Sequence, residues 1–218
     1  SMELFLIVLL SFFSALVTSV FRFGAGLVLT PLLGFLMPLP EALGMASLVF
    51  LFTSGSKALW YFHDIDWDIQ RRALLLSLPG LLIGFAIVRM VDLRMLETAY
   101  ALLLILFAVN MLLHRDQTKS LLPKASYPVA GGVLSVLMHS GGVFFFRYAQ
   151  FYSLNRVRLV GTIAVIHFLL NIFKVIFFTG TGLVASSALY RLAPAYLAAT
   201  VGTRIGRTVL SRYVNERL

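Results

Sequence analysis

The sequence predicts an all-α polytopic membrane protein made of two inverted repeats. Each repeat opens with a glycine-broken helical hairpin followed by transmembrane helices. Three observations carry this: an apolar composition, two glycine breaks inside apolar runs, and one constant offset relating the two halves. Of 218 residues, 60% are hydrophobic and 12% charged, and mean hydropathy is +0.93. Soluble domains are about a quarter charged. A chain of this size cannot hide so much apolar surface from water, which excludes a soluble enzyme, a disordered chain and a secreted disulfide scaffold. Cysteine is absent, so disulfides and thiolate metal sites are excluded, and nothing calls for a cofactor. The net charge of +9 would suggest nucleic acid in a soluble protein; here the positive-inside rule accounts for it.

The elements follow in order. Ser1 ahead of Met2 reads as a cleavage scar and is set aside. Residues 4–20 form an apolar segment with no basic leader, so it is not a cleaved signal peptide. It runs into Arg22-Phe23-Gly24-Ala25-Gly26, then a short apolar run over 27–37 closed by Pro38-Leu39-Pro40. A long span covers 42–62 and a polar loop 63–72. Two more spans, 73–91 and 95–113, are joined by a tight turn. The segment 114–126 is the one clear linker. It separates a first transmembrane repeat (2–113) from a second (127–218). The second opens with a short run over 127–138, the break His139-Ser140-Gly141-Gly142, and another short run over 143–154. Long spans over 157–178 and 188–210 follow.

The offset is 115: Gly26 maps to Gly141, Val28 to Val143, Ser47 to Thr162, Pro79 to Pro194 and Arg89 to Arg204. On this map Leu218 falls on Leu103, so the second repeat lacks its last helix within these residues. Either the chain is truncated there or the segment count is odd.

Topology follows from charge. Residues 4–37 would make about 50 Å of helix, too long for one crossing and too short for two. If each broken segment is a re-entrant hairpin, three Lys/Arg (Arg89, Arg94, Arg191) lie on one side and eleven on the other. If each is a single crossing, the split is six to eight. The hairpin arrangement obeys the positive-inside rule better. It puts the N-terminus outside, and the linker and C-terminus in the cytoplasm, of an inner (plasma) membrane. Three crossings per complete repeat make the repeats inverted, as in many secondary transporters.

The candidate site rests on ionisable residues inside apolar segments: Arg22, Lys57, His139, Arg147, His167 and Lys174. All can be cationic, and every Asp and Glu lies in a loop or near a segment end. Each buried cation costs roughly 2.5–3.5 kcal/mol on insertion scales, and the cheapest partner for a cationic interior is an anionic substrate. The breaks point the same way. Gly24, Ala25 and Gly26, and Ser140, Gly141 and Gly142, each open a half-helix whose free N–H groups and positive dipole end suit an oxyanion. His167, Asn171 and Lys174 share one helix face, and so do Thr53, Ser56 and Lys57. The competing readings are structural. Lys57 and Lys174 are near enough to span ends to snorkel, Arg147 can brace a neighbour's carbonyls, and Thr53 can serve helix packing. A membrane enzyme built on Ser140 and His139 is disfavoured, because adjacent turn residues rarely align as a dyad and no carboxylate orients the base. An anion channel or accessory membrane subunit is the alternative to a carrier. Two interior histidines make protons a candidate coupling ion, and anion affinity is expected to rise as pH falls through about 5 to 7.

Some of these residues resemble a known family. Phe23-Gly24-Ala25-Gly26-Leu27-Val28-Leu29-Thr30-Pro31 and Ala42-Leu43-Gly44-Met45-Ala46-Ser47 are similar to the opening motif and second-span start of the sulfite/organosulfonate exporter (TauE/SafE) family, and Pro79-Gly80 with Gly84 resembles its third span. The resemblance implies transport, in the direction of export, of sulfite, organosulfonates or related small anions. The second break departs from the family pattern by carrying His139 and Arg147.

Overall fold

A computed structural model describes residues 2–21, 26–113, 123–185 and 192–215, and among these the chain is helical with no strand. The helices are α1 (Met2–Phe21), α2 (Gly26–Gly34), α3 (Leu39–Trp60), α4 (Trp67–Met90), α5 (Leu93–Leu113), α6 (Ser126–Met138), α7 (Gly142–Gln150), α8 (Arg156–Gly180) and α9 (Ala193–Asn215). Three described helices are long and apolar enough to cross a membrane: Leu39–Trp60, Trp67–Met90 and Val157–Gly180. The outer surface is apolar too. Phe35, Leu59, Leu75, Leu82, Met90 and Leu197 are each 65–85% exposed, a surface suited to lipid and not to water.

Local chemistry sets the ends. Only part of the polar stretch 63–72 is a loop, because α4 begins at Trp67. Asp66 caps it, its carboxylate accepting from Ile69 N at 3.1 Å. Asp66 also pairs with Arg158 at 3.0 Å, and its backbone N–H donates to Thr162 Oγ1 at 3.0 Å, tying the α3–α4 turn to the start of α8. Asn155 caps α8 through Arg158 N. Pro194 occupies the first turn of α9, where its missing N–H has no intrahelical acceptor anyway.

The second broken segment is two short helices folded back on each other. α6 has 13 residues and α7 has 9, about 20 Å and 14 Å long, each well short of the ~30 Å hydrocarbon core. α7 lies back along α6: a side chain at Gly131 would meet the Phe145 ring at 3.0 Å, and one at Gly141 would meet the Gly131 carbonyl oxygen at 2.4 Å. α1 and α2 also pack on each other; residues 22–25 between them lie outside the described residues.

Three helix pairs hold the bundle: α1 with α9, α4 with α6, and α3 with α8. α3 and α8 run in opposite directions, since Gly44 faces Phe178, Gly55 faces Phe168 and Tyr61 faces Gly161. α4 and α6 run the same way, Gly80 against Val129 and Gly84 against Val136. Their backbones touch. A Cβ on Gly80 would lie 1.9 Å from Val129 O, and one on Gly132 would lie 2.2 Å from Ser77 O. Lipid tails are as apolar as leucine, so helices associate in membranes through such close approach of small residues. Gly202 of α9 likewise meets Phe12 and Ala15 of α1.

This crossing is testable. Gly80→Val and Gly132→Val each force backbone apart, and we expect a loss of about 1–3 kcal/mol or more in unfolding free energy in detergent. Gly34→Ala, at a position open to space, should shift the unfolding midpoint little. Equal effects at all three positions would refute the contact.

Candidate anion site at the α6–α7 break

The break sits at the centre of a buried polar cluster. α6 ends at His139, whose φ of 55° and ψ of 20° are left-handed. That region costs a non-glycine residue roughly 1–2 kcal/mol, and here the side chain offsets it. Nε2 lies 2.9 Å from Ser47 Oγ on α3, and Nδ1 lies 3.3 Å from Thr30 Oγ1 on α2. Ser47 spends its own proton on Leu43 O at 2.9 Å. Nε2–H therefore donates to Ser47, and Nδ1 accepts from Thr30. The ring also packs on Phe50, 5.3 Å between centroids. His139 thus joins the second break to α2 and α3. With both nitrogens engaged there, it makes no base for Ser140.

Lys174 comes from α8. It is 1% exposed, and its Nζ donates to Ser135 O of α6 at 3.0 Å. Among the described residues no carboxylate is within salt-bridge distance of it. It does not snorkel outward; its ammonium enters the bundle one turn before the break. His167, two turns earlier on the same helix face, points at the start of α7: a Cβ on Gly142 would lie 3.0 Å from His167 Nε2. The imidazole stands edge-on to Phe145, with centroids 5.6 Å apart. Lys174 lies within electrostatic reach of both imidazoles, and Lys57 within reach of His167. Asn171, between them, is 2% exposed and donates from Nδ2 to Ser54 Oγ at 3.3 Å.

Several polar atoms here are buried and unpartnered among the described residues: Ser140 Oγ, Ser135 Oγ and Asn171 Oδ1. Backbone N–H groups join them. Phe144 and Phe145 donate to Gly141 O, whereas Gly142 and Val143, first in α7, have no intrahelical acceptor. A buried ammonium held against the last turns of α6, an imidazole at the start of α7 and an unpartnered hydroxyl at Ser140 thus flank the break, and among the described residues no acid is within salt-bridge distance of Lys174. Free N–H groups at a helix N-terminus are a general means of holding an oxyanion.

His139, Ser140, Gly141, Gly142, His167, Asn171 and Lys174 are thus brought together at one break, with Lys57 nearby. Thr53 donates to Val49 O at 3.2 Å within its own helix. Arg147 is at the far end of α7, where it reaches Gln150 Oε1 at 3.4 Å. Arg22, Gly24 and Ala25 lie outside the described residues, and Gly26 begins α2. Thr30, Ser47, Ser54 and Ser135 escaped the reading of site residues, although Thr30 and Ser47 lie inside the glycine-rich motifs quoted above.

The model of the sulfite exporter TauE/SafE family matches residues 7–218. The chain belongs to this family. TauE/SafE proteins are transporters. Comparison with curated proteins and with solved structures finds no match.

Replacing Lys174 separates stability from binding. Lys174→Met removes a buried charge that no acid balances, so we expect the ligand-free protein to gain about 1–3 kcal/mol while anion-induced stabilisation is lost. Asn171→Ala and His167→Ala should each weaken anion binding by about 1–3 kcal/mol. Thermal unfolding with and without sulfite or a sulfonate measures both quantities. Wild-type affinity in all three variants would move the site elsewhere.

Proposed function

We propose that this TauE/SafE protein is a secondary transporter that exports small sulfur-containing anions, such as sulfite or organosulfonates, across the inner membrane. One observation carries the reading: Lys174, buried and without a carboxylate partner among the described residues, stands beside His167 and the N-terminus of α7. An anion seated there accepts from Lys174, His167, Ser140 and the first amides of α7. Family membership supports sulfur oxyanions as the substrate class.

The inverted-repeat arrangement is part of the proposal. At an offset of 115, α1 corresponds to α6, α3 to α8, and α4 to the first half of α9. The α1–α9 and α4–α6 pairings are then the same contact made twice, and α3–α8 pairs a helix with its own counterpart. The opposite directions of α3 and α8 fit a two-fold axis in the membrane plane. Alternating access rocks one set of helices against the other around the break. His139 spans the boundary between the halves, and protons taken up with the anion are the coupling ion we favour.

Reconstituted protein should show saturable sulfite or sulfonate uptake with counterflow, faster as pH falls from 8 to 5 when the anion is a permanently ionised sulfonate. A current linear in concentration would indicate a channel, and a flat pH profile would end the proton coupling. Orientation is checked separately. Cysteines at Gln117 and Asn155 should react from the cytoplasm, and one at Gly182 only from outside; opposite labelling of Gln117 and Asn155 would restore the single-crossing topology.

A further inference from the structure

Resting on that reading, we infer that the site takes anions that carry no ammonium group and rejects zwitterionic aminosulfonates of the same size. The inventory of polar atoms at the break is one-sided. Donors are Lys174 Nζ, Ser140 Oγ, His167 Nε2 in its protonated tautomer and the first amides of α7. Acceptors are few. The Ser135 carbonyl already takes Lys174. Asn171 Oδ1 is free among the described residues, but it is a single neutral oxygen three residues from the Lys174 ammonium on the same helix.

An ammonium brought in behind the sulfonate needs a carboxylate or an open aromatic face. The described acidic residues fall at helix ends or in the turns between helices. The deepest in a helix, Glu97, is only in the second turn of α5 and is exposed. Among the described residues no carboxylate lies within salt-bridge distance of Lys174. Aromatic rings at the break have partners already: Phe50 packs on His139, Phe145 on His167 and Phe144 on Tyr127. A second cation would meet Lys174 and His167 with only neutral oxygens among the described residues to balance it, and an unpaired charge inside a membrane is expensive. A hydroxyl or methyl group in the same place meets no such penalty.

The test uses three ligands of nearly equal size: ethanesulfonate, 2-hydroxyethanesulfonate and 2-aminoethanesulfonate. Each is titrated at neutral pH into the purified full-length chain in detergent, with affinity read by calorimetry. We expect the first two to bind within a few-fold of each other and the amino compound to bind at least about 10-fold more weakly. Equal or tighter binding of the amino compound would overturn this inference and leave the anion site standing. Failure of all three to bind would overturn the site reading and this inference with it.

Discussion

The break between α6 and α7 is the constraint that the rest of the structure answers. In hydrocarbon every backbone polar group needs a partner inside the protein, so a helix can stop at mid-depth only where other helices surround its ends. His139 in the left-handed region returns its own N–H, and that of Ser140, to Leu134 O. Gly141 O takes two amides of α7. The glycines of α4 let α6 approach until backbones touch, and α8 closes the other side with Lys174 on Ser135 O. What remains unsatisfied is the start of α7, and there the polar side chains gather.

The charge pattern gives this arrangement its chemical direction. A buried lysine tied to one carbonyl is a poor device for stability, because one neutral acceptor does not offset the loss of water around an ammonium. Membrane proteins keep such groups where they act. His139 has a different part. Its two hydrogen bonds reach α2 and α3, so the residue that permits the break also locks it to the other half of the chain.

Much of the candidate site was legible in the sequence because polar residues in an apolar segment stand out one by one. His139 beside a glycine break, and His167, Asn171 and Lys174 at helical spacing, needed only periodicity. Thr30, Ser47, Ser54 and Ser135 were not legible, since a hydroxyl in a membrane helix usually bonds its own backbone, as Thr53 does. Which hydroxyls turn to a neighbour depends on who that neighbour is, and spacing along one helix carries no such information.

The sequence by itself determined the membrane class, the order and approximate length of the described helices, the second break, and the polar residues Lys174, His139 and His167 that stand out in apolar segments. Composition and periodicity suffice for these, because the bilayer judges each segment largely on its own hydrophobicity. Only the tertiary structure decided which helices pair, that α7 folds back along α6, that Lys174 turns inward to Ser135 instead of snorkelling, and that His139 grips Thr30 and Ser47. Those outcomes come from packing between segments far apart in the chain, where backbone approach at glycines and the pairing of buried donors with acceptors choose among arrangements that hydrophobicity leaves equal.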